Sequence, residues 1–259
     1  MNDELPIKNI FKAYDIRGIV GSELTSPTVK KIGQAIGTMA LSQMQKTICV
    51  GYDGRLSSPS LSTTLIDGLL STGINVIDIG LCTTPMLYFS NFYQETGTGV
   101  MITGSHNPPE YNGFKMVIKG KTLTSDDIQN LYQIILDSNY LNGEGDKKSL
   151  SIKSQYLHEI SNSIELKRPM KVDIDCGNGA AGVCAEELFK KLGVETEPLF
   201  CDVDGNFPNH HPDPSNPKNL LDLKNKLKNG DSELGLAFDG DADRLGVVTK
   251  DGEIIFPDR

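Results

Sequence analysis

The sequence predicts an α/β protein of two domains with mixed, mainly parallel sheets. From residue 47 onward, short apolar strands alternate with helical segments, which is typical of βαβ units. The length of 259 residues corresponds to about two domains of ~150 residues. A polar, glycine-containing segment at residues 139–150 separates two stretches that share this alternation, and it is the best candidate linker.

The first stretch alternates from its start to the linker. Its predicted strands are residues 47–53, 74–80, 98–104 and 113–119, and its predicted helices are residues 58–73, 84–93 and 124–138. The second of these helices begins with Thr84 as its expected N-cap and Pro85 as its first residue. The strand 113–119 follows its predecessor too closely for a crossover helix, so we expect it to be antiparallel and at a sheet edge.

The second stretch repeats the pattern after the linker. Its predicted strands are residues 170–176, 194–200, 233–239 and 244–250, and its predicted helices are residues 180–193 and 216–230. The chain then ends at F-P-D-R, residues 256–259, shortly after a strand.

The composition argues against several classes of protein. A net charge of −9 disfavours a general binder of nucleic acid or anionic membranes, which needs basic patches. Five cysteines without C-x-x-C spacing disfavour a disulfide framework or a zinc site. The N-terminus shows no signal peptide, and no apolar run approaches the ~18 residues of a membrane helix. A cytoplasmic protein is therefore expected.

A cation site is predicted in F-D-G-D-A-D-R-L-G-V-V, residues 238–248. Asp239, Asp241 and Asp243 follow an apolar strand at every second position, and in a loop their carboxylates can converge on one cation. Hard oxygen ligands of this kind suit Mg²⁺. An EF-hand does not fit, because Arg244 stands where that loop needs glycine. The alternative is a solvated acidic turn.

Ser105 and His106 follow another apolar strand, in V-M-I-T-G-S-H-N-P-P. The stretch is compatible with a simple turn, whereas a nucleophilic serine needs a base or a metal. Adjacent Ser and His side chains rarely point at each other, so His106 is expected to be a poor base. A phosphate on Ser105, set against Mg²⁺ at the aspartates, is the simpler scheme.

Three glycines stand in G-x-G-x-x-G spacing within C-G-N-G-A-A-G, residues 176–182. Glu195 and Glu197 lie roughly twenty residues further on, where a dinucleotide-binding fingerprint has its acidic residue. An NAD-binding domain is therefore a rival hypothesis. A tight strand-to-helix turn that needs small residues is the favoured interpretation.

Three further features have both a functional and a structural interpretation. F-K-A-Y-D-I-R-G precedes any predicted strand, and its Arg17 could bind phosphate or only pair with Asp15 at the surface. Lys115 could be an acid or base, or an exposed strand residue. The adjacent histidines 210 and 211 could bind metal, but the surrounding prolines favour a rigid loop.

Together these stretches resemble the α-D-phosphohexomutase family, in its bacterial phosphomannomutase/phosphoglucomutase branch. The resemblance rests on FKAYDIRG, TGSHNPPEYNGFK, CGNGAAG, VDGNFPNHHPDPSNPKNL and FDGDADRLGVV, which occur in the family's order. It implies two related three-layer α/β/α domains, residues 1–148 with a phosphoserine loop and residues 149–259 with a metal-binding loop. The family's third and fourth domains have no counterpart here, so an N-terminal fragment is expected.

The resemblance also implies the roles of individual residues. Ser105 would carry the phosphoryl group, and the metal ligands of one Mg²⁺ would be Ser105, Asp239, Asp241 and Asp243. Further catalytic roles fall on Arg17, Lys115 and Arg244, with Lys115 a candidate for proton transfer. The implied substrate-binding residues are Tyr14, Arg17, His106, Asn107, Lys115 and Arg244.

The implied activity is that of an isomerase acting on phosphosugars. Hexose 6-phosphate, of mannose and/or glucose, would be converted to hexose 1-phosphate through phosphoserine and hexose 1,6-bisphosphate, which is also the activator. The fragment would keep the phosphoserine and the Mg²⁺ site but show little turnover. Two alternatives stay open: an NAD-binding dehydrogenase domain built on residues 177–182, and a non-catalytic phosphosugar-binding module.

Overall fold

The computed structural model describes residues 5–255, and these separate by packing into two compact units. The first unit holds most of the chain up to Ser151. The second unit takes Asp53–Leu56, Leu81–Met86 and the chain from Ile152 onward. The domain boundary predicted between residues 148 and 149 stays a prediction, and the F-P-D-R end lies outside the described residues.

A seven-stranded mixed sheet forms the centre of the first unit. Its strands are β1 (Ile16–Ile19), β2 (Thr47–Tyr52), β3 (Asn75–Leu81), β4 (Gly99–Ile102), β5 (Tyr111–Ile118), β6 (Lys121–Thr122) and β7 (Lys147–Ser149). The order is β1-β5-β4-β2-β3-β7, with β6 paired to β5. β2 pairs in parallel with β4, and β3 with β7, whereas β5 is antiparallel to β4, β1 and β6.

The strand predicted at residues 113–119 corresponds to β5, and its antiparallel direction is confirmed. Its predicted edge position is wrong, because β1 pairs with its outer side, with Ile16 opposite Phe114 and Arg17 opposite Gly113. β1 comes from the stretch that was placed before any predicted strand. Its four residues include an arginine and a glycine, so it has too few apolar residues to show a strand periodicity.

The helices begun in the first half of the chain are α1 (Ser26–Ser42), α2 (Ser58–Leu70), α3 (Thr84–Tyr93) and α4 (Ser125–Leu136). α1 was not predicted. Gly33 of α1 and Gly68 of α2 let the two backbones approach closely: a Cβ on Gly33 would lie 2.4 Å from the carbonyl oxygen of Leu65. Gly33 lowers the helix propensity of α1 in sequence, yet its lack of a side chain is what allows the helix to pack.

The predicted linker contributes a strand to the first unit. Residues 147–149 form β7, which pairs in parallel with β3, with Val76 opposite Lys147. All three β7 residues are exposed, and Lys147 forms an ion pair with Asp78 at 2.8 Å. A short, lysine-bearing edge strand has no apolar pattern, so the sequence shows it as a polar connection.

The second unit is built on a five-stranded mixed sheet, in the order β12-β11-β10-β8-β9. The strands are β8 (Met170–Asp175), β9 (Val194–Leu199), β10 (Leu234–Phe238), β11 (Leu245–Thr249) and β12 (Ile254–Ile255), and the helices are α5 (Lys153–Ser163), α6 (Ala185–Lys191) and α7 (Leu221–Asn229). β8 is parallel to β9 and β10, and β11 is antiparallel to β10 and β12. Within residues 5–255, every helix is too short or too polar to cross a membrane.

Candidate functional site

Ser105 occupies a strained turn directly after β4. Its side chain is buried, at 1% exposure, and its backbone has φ of 49°. The left-handed region costs a residue with a Cβ about 1–2 kcal/mol, so other contacts have to hold it there. The Ser105 N–H donates to Thr103 Oγ1 at 2.7 Å, and the Asn107 N–H donates to the Gly104 carbonyl at 2.9 Å. The turn is therefore held rigidly in an unfavourable conformation, as is common at functional sites.

Arg17 contacts this turn from β1, which is separated from β4 in the sheet by β5. One guanidinium nitrogen donates to the Gly104 carbonyl at 2.5 Å and to Asn107 Oδ1 at 3.2 Å. The other nitrogen donates to Asp15 Oδ2 at 2.6 Å, and only 11% of the Arg17 side chain is exposed. The structure thus joins F-K-A-Y-D-I-R-G to T-G-S-H-N-P, which are almost ninety residues apart, and it shows Arg17 positioning the serine turn.

His106 lies closer to the serine hydroxyl than the sequence suggested. Its Nδ1 is 3.3 Å from Ser105 Oγ, a contact whose donor depends on the imidazole tautomer. The expectation that the two side chains point apart is therefore wrong. The positive φ of Ser105 is the reason, because it turns the side chain away from the alternating direction of an extended strand.

Two other candidate residues of the first unit have different surroundings. Lys115 stands in β5 opposite Met101 of β4, between the buried residues Phe114 and Met116. It is half-buried, so the interpretation as a freely exposed strand residue does not hold. Tyr14, in contrast, is 73% exposed.

The three aspartates lie in the turn that joins β10 to β11. Ala242 at its tip has φ of 60°, and Asp239 Oδ1 accepts the N–H groups of both Asp243 and Arg244, each at 3.0 Å. The Asp239 N–H in turn donates to the Arg244 carbonyl at 3.2 Å. Asp239 therefore organises the turn with one carboxylate oxygen, and Arg244 enters it through its backbone.

The turn brings the carboxylates together, as the spacing predicts. One oxygen from each of Asp239, Asp241 and Asp243 lies within 4.8 Å of the others. Asp239 and Asp241 are fully buried, whereas Asp243 is exposed. Three converging carboxylates repel one another unless a proton or a cation intervenes. The donor set consists of hard oxygens only, which fits Mg²⁺.

Thr84 is a site residue that the sequence did not identify. Its hydroxyl donates to Asp241 Oδ2, and its backbone N–H donates to the Asp241 carbonyl at 2.9 Å. The predicted N-cap role belongs instead to Thr83, whose Oγ1 accepts the Met86 N–H at 3.2 Å. Sequence proximity offers no signal for this contact, because the two residues are 157 positions apart.

Comparisons with known proteins agree with this arrangement. Residues 8–141 match the family model of phosphoglucomutase/phosphomannomutase, alpha/beta/alpha domain I, and residues 154–252 match that of domain II. The chain belongs to the phosphoglucomutase/phosphomannomutase family. The resemblance inferred from the motifs is thereby confirmed, as is the fold class of two α/β/α domains with mixed sheets.

Relatives within this family are similar over nearly the whole chain. The phosphoglucomutase of Neisseria meningitidis serogroup A is 54% identical over 97% of this chain and 55% of its own length. The phosphomannomutase/phosphoglucomutase of Pseudomonas aeruginosa PAO1 is 51% identical over 97% and 54%. A crystal structure of a family protein from Burkholderia thailandensis has a TM-score of 0.95 at 47% identity, covering 98% of this chain and 57% of that one. The chain spans about half the length of the curated relatives it matches.

In this member of the phosphoglucomutase/phosphomannomutase family, the glycine-rich segment 176–182 supports the aspartate turn. The Ala180 N–H donates to the Gly240 carbonyl at 2.9 Å, and a Cβ on Gly179 would lie 2.9 Å from that same oxygen. A 3₁₀ helix (Ala180–Val183) begins directly after Gly179 and contains Gly182, whereas a dinucleotide fingerprint requires an α-helix there. The spacing of the glycines is explained by packing, and the NAD-binding alternative finds no support.

His210, one of the two adjacent histidines, contacts Asp175 in the second unit. Its Nε2 lies 2.9 Å from Asp175 Oδ2, and its Nδ1 lies 3.0 Å from the His211 carbonyl oxygen. Burial alone lowers the pKa of His210, but the hydrogen bond and charge of Asp175 outweigh burial, so this pKa is raised. The contacts fit the interpretation of a rigid loop rather than that of a metal ligand.

Proposed function

We propose that this chain carries the phosphoserine and the metal ligands of a mutase that interconverts hexose 6-phosphate and hexose 1-phosphate, with mannose and/or glucose as the sugar. The observation that carries the proposal is the clamped Ser105 turn, a buried hydroxyl on a backbone with φ of 49°. The names of relatives at 51–54% identity support the same activity. The convergence of the three carboxylates supports a metal-binding role in such chemistry.

In this proposal Ser105 Oγ carries the phosphoryl group between half-reactions. Phosphoserine transfers its group to the free hydroxyl of a hexose monophosphate, which leaves serine and a hexose 1,6-bisphosphate. The bisphosphate reorients, and its other phosphoryl group returns to Ser105 Oγ, so phosphate is conserved over the cycle. The same bisphosphate charges an unphosphorylated chain and is thus the activator.

Each candidate residue has a role consistent with its position. Arg17 holds the serine turn through the Gly104 carbonyl and Asn107. His106, 3.3 Å from Ser105 Oγ, exchanges a proton with the hydroxyl or its phosphate ester. The half-buried Lys115 is proposed as the proton-transfer residue of the sugar hydroxyl. The proposed contacts to the phosphosugar come from Tyr14, Arg17, His106, Asn107, Lys115 and Arg244.

The aspartates are proposed as ligands of one Mg²⁺ together with Ser105. When bound, Mg²⁺ neutralises negative charge that develops on a transferring phosphoryl group. Asp239 contributes to the turn geometry through Oδ1, so Oδ2 is its proposed ligand atom. Phosphoryl transfer depends mainly on positioning and charge neutralisation, and the hydrogen-bonded turns of Ser105 and Asp239 are consistent with the positioning that it needs.

Intact-mass analysis with peptide mapping tests the proposal on the 259-residue chain. After incubation with glucose 1,6-bisphosphate and Mg²⁺, we expect a gain of one phosphoryl group on Ser105. Ser105→Ala should abolish the gain, Asp241→Asn should strongly reduce it, and Ser62→Ala, which alters a buried helix serine, should leave it unchanged. Phosphorylation elsewhere, or none with Mg²⁺ present, contradicts the proposal.

Two measurements separate this proposal from the alternatives: the phosphorylation assay and a titration with NAD. A phosphosugar-binding module without catalysis predicts binding of the bisphosphate but no phosphorylated Ser105 under any condition. A dehydrogenase domain predicts tight NAD binding, which titration with NAD detects. We expect little or no mutase turnover from the chain alone, because it spans about half the length of the relatives whose names describe that activity.

A further inference from the structure

Thr84 and Asp241 are joined by two hydrogen bonds within the second unit. The Thr84 N–H donates to the Asp241 carbonyl at 2.9 Å, and the Thr84 hydroxyl donates to Asp241 Oδ2. Both residues are fully buried. A buried hydroxyl bonded to a carboxylate is a charge-assisted hydrogen bond, which is stronger than a neutral one. The contact therefore restricts both the position and the rotamer of Asp241.

The hydroxyl of Thr84 is available for this contact because its neighbours begin the helix. Thr83 Oγ1 accepts the Met86 N–H, and Pro85 has no N–H to satisfy. A threonine at the start of a helix ordinarily uses its hydroxyl as a cap. In T-T-P, Thr83 caps the helix, and the hydroxyl of Thr84 instead donates to Asp241 outside the helix.

We propose that Thr84 is a positioning residue for the cation site. By engaging Asp241 Oδ2, its hydroxyl directs the other carboxylate oxygen toward the centre of the triad. Asp239 follows the same principle, because two backbone N–H groups engage its Oδ1. In both buried carboxylates one oxygen is held by the protein, and the ligand oxygen is thereby oriented. The inference rests on the proposed function, which assigns a divalent cation to these aspartates.

The expected size of the effect follows from the behaviour of outer-shell partners in metal sites. Loss of a hydrogen bond to a ligating group typically weakens metal affinity by about 10–100-fold. Thr84→Val keeps the branched shape and removes the donor, whereas Thr84→Ser keeps the donor and removes only a methyl group. We expect the valine variant to bind Mg²⁺ and Mn²⁺ about 10–100-fold more weakly and the serine variant to bind close to wild type.

The test uses the full chain and does not depend on turnover. Mn²⁺ binding is measured by electron paramagnetic resonance, Mg²⁺ binding by calorimetry, and melting is followed in EDTA and in saturating Mg²⁺. Thr72→Val is the matched control, because it removes a buried hydroxyl bonded to the Leu69 carbonyl in the first unit. That control should lose stability in EDTA but keep its metal affinity. If Thr84→Val does not melt cooperatively, Thr84→Ala is measured in its place, because it removes the same hydroxyl donor and has a smaller side chain than valine.

The outcomes distinguish this inference from the proposed function. Wild-type affinity in Thr84→Val, or equal weakening in Thr84→Ser and Thr84→Val, overturns the positioning role and leaves the cation site intact. Absence of Mg²⁺ and Mn²⁺ binding in wild type, or binding unaffected by Asp241→Asn, overturns the cation site itself. Weakening in the valine variant with recovery in the serine variant supports both.

Discussion

His210 Nε2 lies 2.9 Å from Asp175 Oδ2, at the buried end of β8. Asp175 Oδ1 accepts the Gly177 N–H at 2.9 Å, so one carboxylate binds both the histidine loop and the glycine turn. The glycine turn in turn supports Gly240 between the aspartates. The pair thus stabilises the scaffold beneath the candidate cation site.

This pair predicts a pH-dependent stability. Because the folded-state pKa of His210 is raised, its contribution to the unfolding free energy is complete below the unfolded-state pKa of ~6.5. The contribution is lost as the pH rises through the folded-state pKa. We expect the stability difference between wild type and His210→Asn, measured by urea unfolding, to shrink over that range. A His210 difference that grows toward alkaline pH contradicts the assignment.

The backbone of Ser105 predicts an unusual order of stability between two variants. Ser105→Gly and Ser105→Ala both lack the hydroxyl, but only glycine adopts a φ of 49° without a steric penalty. We expect the glycine variant to be about 1 kcal/mol more stable than the alanine variant in chemical denaturation. At Ser60, an exposed position inside α2, we expect the opposite order, with Ser60→Ala about 1 kcal/mol more stable than Ser60→Gly. Equal stability of the two Ser105 variants argues against strain in the turn.

Replacing Arg17 tests its clamp on the serine turn. Lysine keeps the charge but cannot reach the Gly104 carbonyl, Asn107 and Asp15 together, because it lacks the guanidinium fork. We expect Arg17→Lys to lower the unfolding free energy by about 1.5–3 kcal/mol and to slow phosphorylation of Ser105. The matched control is Arg168→Lys, where an exposed arginine pairs with Glu233 and a much smaller change in unfolding free energy is expected. Equal effects at the two positions contradict the clamp.

The contact between α1 and α2 predicts that Gly33→Ala is destabilising. Alanine favours helices by about 1 kcal/mol over glycine, but the added methyl would lie 2.4 Å from the Leu65 carbonyl oxygen. Separation of the two backbones should lower the unfolding free energy by about 1–3 kcal/mol, as measured by urea or thermal unfolding. Ser60→Ala, on the exposed face of α2, should be neutral or slightly stabilising. A stabilised Gly33→Ala variant is the opposite of what this packing requires.

The candidate site was predictable where its signal is local. Ser105 and the three aspartates each follow an apolar strand, and the turn at the carboxyl end of a strand is where functional side chains are expected. The spacing of the aspartates alone predicted their convergence. Fold class was predictable for the same reason, since alternation of strands and helices is a pattern within short windows.

The remainder depends on contacts distant in sequence. The hydroxyl of Thr84 and the guanidinium of Arg17 act on turns far along the chain, and no periodicity marks such partners. α1 was missed because Gly33, which lets it pack against α2, also weakens its helical signal. β7 was missed because an exposed edge strand carries polar residues, and β1 because it is only four residues long.

The second unit is assembled from three separate segments of the chain, and this has a consequence for how it folds during synthesis. The guanidinium carbon of Arg55 lies 5.3 Å from the centroid of the Phe207 ring. Thr84 forms a hydrogen bond with Asp241, which is 157 residues further along the chain. On the ribosome these early segments emerge long before the strands that receive them, so the second unit cannot complete its folding as an independent later segment. High contact order of this kind slows folding. Residues 53–56 and 81–86 therefore reach their folded surroundings only after the strands of the second unit have been translated.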